Sequence, residues 1–150
     1  MGIEENKEVV RKLVEGMGEG NSSVIDELTT DNFVFHVLNF DIDMDKNTLK
    51  QQNEGGHAGI PDYSMTIDEI VAEDDKVMVW STRRGTHSEN FLGVPPTGNK
   101  LKIYRFAVYR IKEGKIIEMW ALDDMLSQFQ QLGILPSSDE IRESIAKKYQ

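Results

Sequence analysis

The segment from Lys115 to Gly133, KIIEMWALDDMLSQFQQLG, changes its apolar period part-way along, and the change falls on a pair of carboxylates. Read with period two, Ile116, Glu118, Trp120, Leu122 and Asp124 share one strand face, while Ile117, Met119, Ala121 and Asp123 share the other. From Met125 the pattern becomes helical: Met125, Leu126, Phe129 and Leu132 form one stripe, and Gly133 is placed to end it. A strand running straight into a helix fixes the direction of both. A carboxylate on the same strand face as Trp120 and Leu122 would sit against apolar surface, where burial raises its pKa and makes a general acid or base. Either Asp123 or Asp124 could instead serve as the N-cap of the helix. One cap needs one aspartate, so spacing alone leaves the two roles open between them.

The rest of the chain alternates in the same readable way. Glu4 to Met17 carries Val9, Val10, Leu13, Val14 and Met17 on one helical stripe, and a short helix, Val24 to Leu28, follows. Thr29 to Asn32 reads as a turn into a strand, FVFHVL, and Asp45 as the cap of a short helix from Lys46 to Gln52. Asn53 to Asp62 reads as a loop on its Gly and Pro content. Four strands are then predicted: Met65 to Ala72, Lys76 to Thr86, Leu101 to Ile111 and Lys115 to Leu122. Between the middle two lies the long loop GTHSENFLGVPPTGNK, of a length that is often functional, and Pro95-Pro96 could shape a lid within it. Ser137 and Glu140 form a capping box for a final helix at about 137–148. Helices first and consecutive strands afterwards is the α+β order, in a single domain over residues 1–150.

Composition narrows the function. At 150 residues and 39% apolar content, one continuous core is expected. A net charge of −9 argues against nucleic acid or an anionic membrane as partner. No apolar run approaches the roughly 20 residues of a membrane span. The polar, acidic N-terminus argues against a secretory signal, and the absence of cysteine makes the cytoplasm the default location. The three histidines have no metal-ligand spacing, so neither a metal nor another cofactor is expected. The strand Leu101 to Ile111 is apolar on both faces, and one helical layer covers only one. The face left over therefore predicts a homodimer built sheet to sheet, through Tyr104, Phe106 and Val108 or through the opposite set.

Four segments together resemble the SnoaL-like polyketide cyclases, within the ketosteroid isomerase and nuclear transport factor-like superfamily. They are the N-terminal helices leading into FVFH, Pro61-Asp62 before a strand, GTHSENFLGVPPTG at 85–98, and YRIKEGKIIEMWALDDMLSQFQQLG at 109–133. The resemblance implies a cone-shaped, curved antiparallel sheet wrapped around the N-terminal helices (a cystatin-like α+β barrel), with an apolar pocket between them. It implies ester-cyclase chemistry without cofactor, in which an aspartate removes a proton from an activated carbon and assists an aldol ring closure on a hydrophobic carbonyl substrate. The family's acidic position falls on Asp124, leaving Asp123 as cap or solvated residue, and His87 in GTH falls on a pocket donor or proton shuttle. Trp120, His36, Arg83, Arg105 and Tyr109 are the expected substrate-binding side chains. Arg83 and Arg105 stand where the family has small residues, and Arg105 beside Asp124 would lower that aspartate's pKa. The superfamily's epoxide hydrolases combine an Arg with two carboxylates, and Ala107 leaves the second carboxylate missing. A binding protein without turnover, or an isomerase, dehydratase or hydrolase in the same pocket, are the alternatives.

Overall fold

A computed structural model describes residues 2–150. Helix α1 (Ile3–Gly18) buries Val10, Leu13, Val14 and Met17, the stripe its period requires. Helix α2 (Ser23–Leu28) packs close to it, because the hydrogen of Gly16 leaves room where a Cβ would stand 2.6 Å from Val24 Cγ1. Strand β1 (Thr29–Val37) starts directly after α2, so the turn expected at 29–32 is already strand. A three-residue strand β2 (Ile42–Met44), too short to carry a periodic signal, pairs antiparallel with it.

Helix α3 (Lys46–Gly59) is twice as long as the sequence predicted. Asp45 caps it by accepting from Thr48 N at 2.8 Å, as expected. Its last two turns override the glycine signal through tertiary contact: Leu49 and Asn53 are buried one turn apart, and His57 Nε2 bonds Met17 O at 2.8 Å. His57, expected to be solvated, is thereby half-buried against Tyr63.

Strands β3 (Ser64–Glu73), β4 (Lys76–Thr86), β5 (Lys100–Lys112) and β6 (Lys115–Asp123) are consecutive antiparallel neighbours. The six strands lie in the order β2-β1-β6-β5-β4-β3. The β1–β6 pairing is parallel, a departure from an all-antiparallel sheet. Residues 38–114 separate those two strands, so no tight hairpin constrains their sense. Helices α4 (Met125–Gln131) and α5 (Ser138–Lys148) follow, the first ended by Gly133 at φ +75° and the second opened by the Ser137–Glu140 capping box. No residue of α5 is buried. Among the described residues no helix is long and apolar enough to cross a membrane.

The alternation of β5 sorts the molecule into inside and outside. Leu101, Ile103, Ala107, Tyr109 and Ile111 are buried, facing the helices. Tyr104 and Phe106 are exposed on the other face, where Trp80 stacks on Phe106 at 5.7 Å and Leu122 is half open. In β6 the inward residues are Met119, Ala121 and Asp123, which puts Trp120, Leu122 and Asp124 on the outer side. That single assignment relocates much of the expected site.

Candidate functional site

A cavity of about 360 Å³ opens between α3, the end of α1, the long loop 87–99 and the inner face of β4, β5 and β6. Met17, Leu49, Ile60, Met65, Phe91 and Met125 supply its apolar walls. Gly85 brings β4 against the corner at Ile60, since a Cβ there would stand 2.1 Å from Ile60 Cγ2. Asp62 staples the same corner by accepting from Thr86 N at 2.6 Å and from its hydroxyl at 2.8 Å.

One wall is charged. Strand register places Arg105 directly opposite Asp123, and Arg83 lies one strand further across. Arg105 donates to Asp123 through Nε at 2.7 Å and Nη2 at 2.9 Å, a bidentate fork. Arg83 Nη2 reaches the same Oδ1 at 2.6 Å. Asn39 pins the aspartate's backbone, donating to Asp123 O and accepting from Asp123 N, both at 2.8 Å. Burial alone would raise the Asp123 pKa, but the two guanidiniums together outweigh it and hold the carboxyl well below the usual range. Burial likewise opposes the charge on Arg105, and Asp123 more than offsets it, so that guanidinium is held more firmly protonated. Without a ligand the wall therefore sets two guanidiniums against one ionised carboxylate.

The expected site residues divide around this wall. Arg83 and Arg105 both line the cavity. Asp124, expected there, is exposed and caps α4 by accepting from Ser127 N at 3.1 Å, while its neighbour Asp123 enters the cavity. Period two separates these two correctly, but the apolar face of Trp120 and Leu122 is the outer one, and the resemblance that favours Asp124 falls on that face. Trp120 is on the outer side, stacked on His36 at 5.1 Å. His36 bonds Glu118 at 2.8 Å and Asp43 at 2.7 Å, away from the cavity. Tyr109 points inward but into the core beside Met119, where burial pushes its phenol up to about 12. His87 is fully buried and holds the long loop together: Nδ1 lies 2.9 Å from Thr97 Oγ1, and Nε2 lies 3.2 Å from Val94 O. Both ring nitrogens are turned to the loop, and His87 is not part of the cavity lining. Among the described residues no cluster of three His, Cys, Asp or Glu side chains could hold a metal ion.

The sequence reading missed Asn53, Tyr63, Phe91 and Gln128, all of which line the cavity. Asn53 had a legible signal. It follows Leu49 by four positions, a polar residue on an apolar helical stripe, once 53–59 is taken as helix.

The fold has known counterparts. The model of the SnoaL-like polyketide cyclase family matches residues 7–132. The chain belongs to the SnoaL-like polyketide cyclase family. Among solved structures it is similar to AclR, a proposed hydroxylase from Streptomyces galilaeus, with a TM-score of 0.86, 26% identity, and 97% of this chain and 92% of that one covered. It is also similar to IdmH, a proposed polyketide cyclase from Streptomyces antibioticus, with a TM-score of 0.77, 27% identity, and coverage of 85% and 98%. A SnoaL-like protein from Jannaschia sp. CCS1, at 22% identity, a TM-score of 0.79 and coverage of 89% and 95%, shares the fold. No curated protein sequence matches the chain. The family match ends at Leu132, so α5 lies beyond the SnoaL-like domain's matched span.

Proposed function

We propose that this SnoaL-like protein is a cofactor-free enzyme acting by acid/base chemistry on a hydrophobic carbonyl compound, with an aldol-type cyclisation as its reaction. The observation that carries this reading is the Arg83–Asp123–Arg105 triad set into the wall of an otherwise apolar cavity. The acid/base role expected of Asp124 passes to Asp123, the carboxylate that borders the cavity. Removing a proton from carbon beside a carbonyl needs an acceptor and a partner for the enolate oxygen. Asp123 accepts the proton, and the C–H electron pair moves onto the carbonyl oxygen, which Arg83 faces. Drawing Arg83 toward that oxygen also relieves part of the field that depresses Asp123, so its basicity rises when substrate is seated. The enolate carbon then attacks a second carbonyl carbon of the same molecule. The resulting alkoxide takes the proton back from Asp123, leaving the protein unchanged.

A homodimer in the cytoplasm is the setting proposed for this chemistry. The open outer face of Trp80, Tyr104 and Phe106 supports the dimer, and the charge of −9 supports independence from nucleic acid. Binding without turnover is the second reading, favoured by the same depression of Asp123 that weakens it as a base. Deuterium exchange separates the two. With 2-tetralone in heavy water, followed by proton NMR, the protein should accelerate exchange at the α-carbons, and Asp123→Asn should abolish the acceleration. Binding of the ketone without any acceleration would establish the second reading.

A further inference from the structure

The cavity's charge does not balance. Its lining contains two arginines and one carboxylate, so a chain of net charge −9 presents a site of net charge +1. The partners are also unequal. Arg105 spends two donors on Asp123, whereas Arg83 makes a single contact through Nη2, and its Nε is buried with no hydrogen-bond partner. Asn53 Nδ2, on the opposite wall, is likewise buried and unpartnered. Unsatisfied buried donors are uncommon and costly, and a buried surplus of positive charge more so. Both belong to side chains that line one cavity, and beside that surplus they describe a wall that an anionic acceptor would complement.

The geometry points to a hydrophobic ligand that carries one carboxylate, seated against Arg83 with Asn53 as a second donor. A rotation of the Arg83 side chain toward the cavity presents Nε and Nη1 as a fork, the pairing that a planar carboxylate fills with two parallel hydrogen bonds. The apolar walls at Leu49, Met65 and Phe91 take the remainder of the ligand. The free acid is therefore preferred over its ester, which has neither the charge nor the second equivalent oxygen. This inference rests on the cavity being the ligand site proposed above, and it adds the ligand's charge.

The test titrates the full-length protein by calorimetry with 2-naphthoic acid and, separately, with methyl 2-naphthoate. The acid should bind about tenfold tighter or more, the scale of one hydrogen bond to a charged group. Arg83→Met keeps the apolar stem and should erase that preference, read as the ratio of the two affinities; Asn53→Ala should reduce it in part. Circular dichroism checks that both variants fold, and the wild-type comparison needs neither. Equal binding of acid and ester, or a preference that survives Arg83→Met, overturns the inference and leaves the cavity reading intact. Failure of both compounds to bind overturns the two together.

Discussion

The sheet carries a charged cluster on each side of β6, and the two are built with opposite signs. Inside, one carboxylate, Asp123, lies between two guanidiniums, its side chain only 12% exposed. Outside, one imidazole, His36, lies between two carboxylates, one of which, Asp43, is 68% exposed. The outer cluster extends further, from Glu118 to Arg110 at 3.3 Å and from Arg110 to Asp75 at 3.0 Å. The same pairing of one charge with two opposites has different consequences because of solvent. Buried, it holds Asp123 ionised in the ligand-free protein and leaves one positive charge in the cavity wall without a partner. At the surface it is screened, adds little stability, and leaves a histidine free to titrate near neutral pH. The proposed site lies on the side where the charge is shielded from water.

The largest expected effect comes from breaking the inner cluster. Asp123→Asn removes the proton acceptor and leaves two guanidiniums facing each other without compensation. Turnover should fall by about 10²–10⁴-fold, and stability by about 3–5 kcal/mol as for a buried ion pair deprived of one partner. Steady-state kinetics and urea denaturation measure the two losses. The depressed pKa also predicts the acid limb of stability. The Asp123 contribution is complete above the unfolded-state value near 4 and erodes only as pH falls below it.

How far the sequence carried this site depends on what each residue's pattern reported. The strand-to-helix change at 115–133, the cap at Asp45 and the last helix were all legible, because period and capping are local properties. The two faces of β6 were separable as well, since alternation assigns residues to faces. Alternation does not say which face is inside. Trp120 and Leu122 are larger than Met119 and Ala121, yet they lie outside, because the outer side of this sheet is itself apolar around Trp80 and Phe106. Hence Asp124 and Asp123 exchange places relative to expectation. The length of α3 was hidden for a different reason: contacts of Asn53 and His57 with distant parts of the chain outweigh two glycines. His87 illustrates a third limit, because only tertiary structure shows both ring nitrogens occupied by the loop.

The comparison sharpens if the outer side can be changed without touching the inner one. Phe106→Glu places a like charge at the centre of the aromatic face, where a two-fold contact would oppose it to its own copy at a cost of several kcal/mol. Light scattering should then report a monomer in place of a dimer, with the ligand affinity of each subunit retained. A wild-type protein that is monomeric across micromolar concentrations would remove the dimer from the account.

The paired aspartates give a smaller, cleaner contrast. Asp124→Ala deletes the α4 cap and should cost about 1 kcal/mol, while Asp124→Asn, an equally good cap, should cost almost nothing. Neither should affect turnover as Asp123→Asn does. A loss of activity in a well-folded Asp124→Asn variant comparable to that of Asp123→Asn would return the acid/base role to Asp124.

The smallest effect is expected at His36, and its sign follows from its neighbours. Burial opposes the imidazolium, but hydrogen bonds and charge from Glu118 and Asp43 outweigh burial, so the pKa is raised. A raised pKa makes the protonated ring the stabilising form. Its contribution is fully present below the unfolded value near 6.5 and is lost as pH rises through the folded value. Stability should therefore decline slightly over the first pH units above 6.5, by less than about 1 kcal/mol, as for other surface pairs. Salt should shrink the decline, because Asp43 is solvent-exposed and Glu118 only partly buried. His36→Gln keeps a polar ring-sized neighbour for Trp120 but cannot titrate, and its stability profile should be flat across the same window. Thermal unfolding of both proteins at stepped pH measures the difference, while the Asp123 cluster, ionised throughout that range, contributes a constant to each. A wild-type profile that is equally flat would mean that the outer cluster is too well hydrated to sense its own charge.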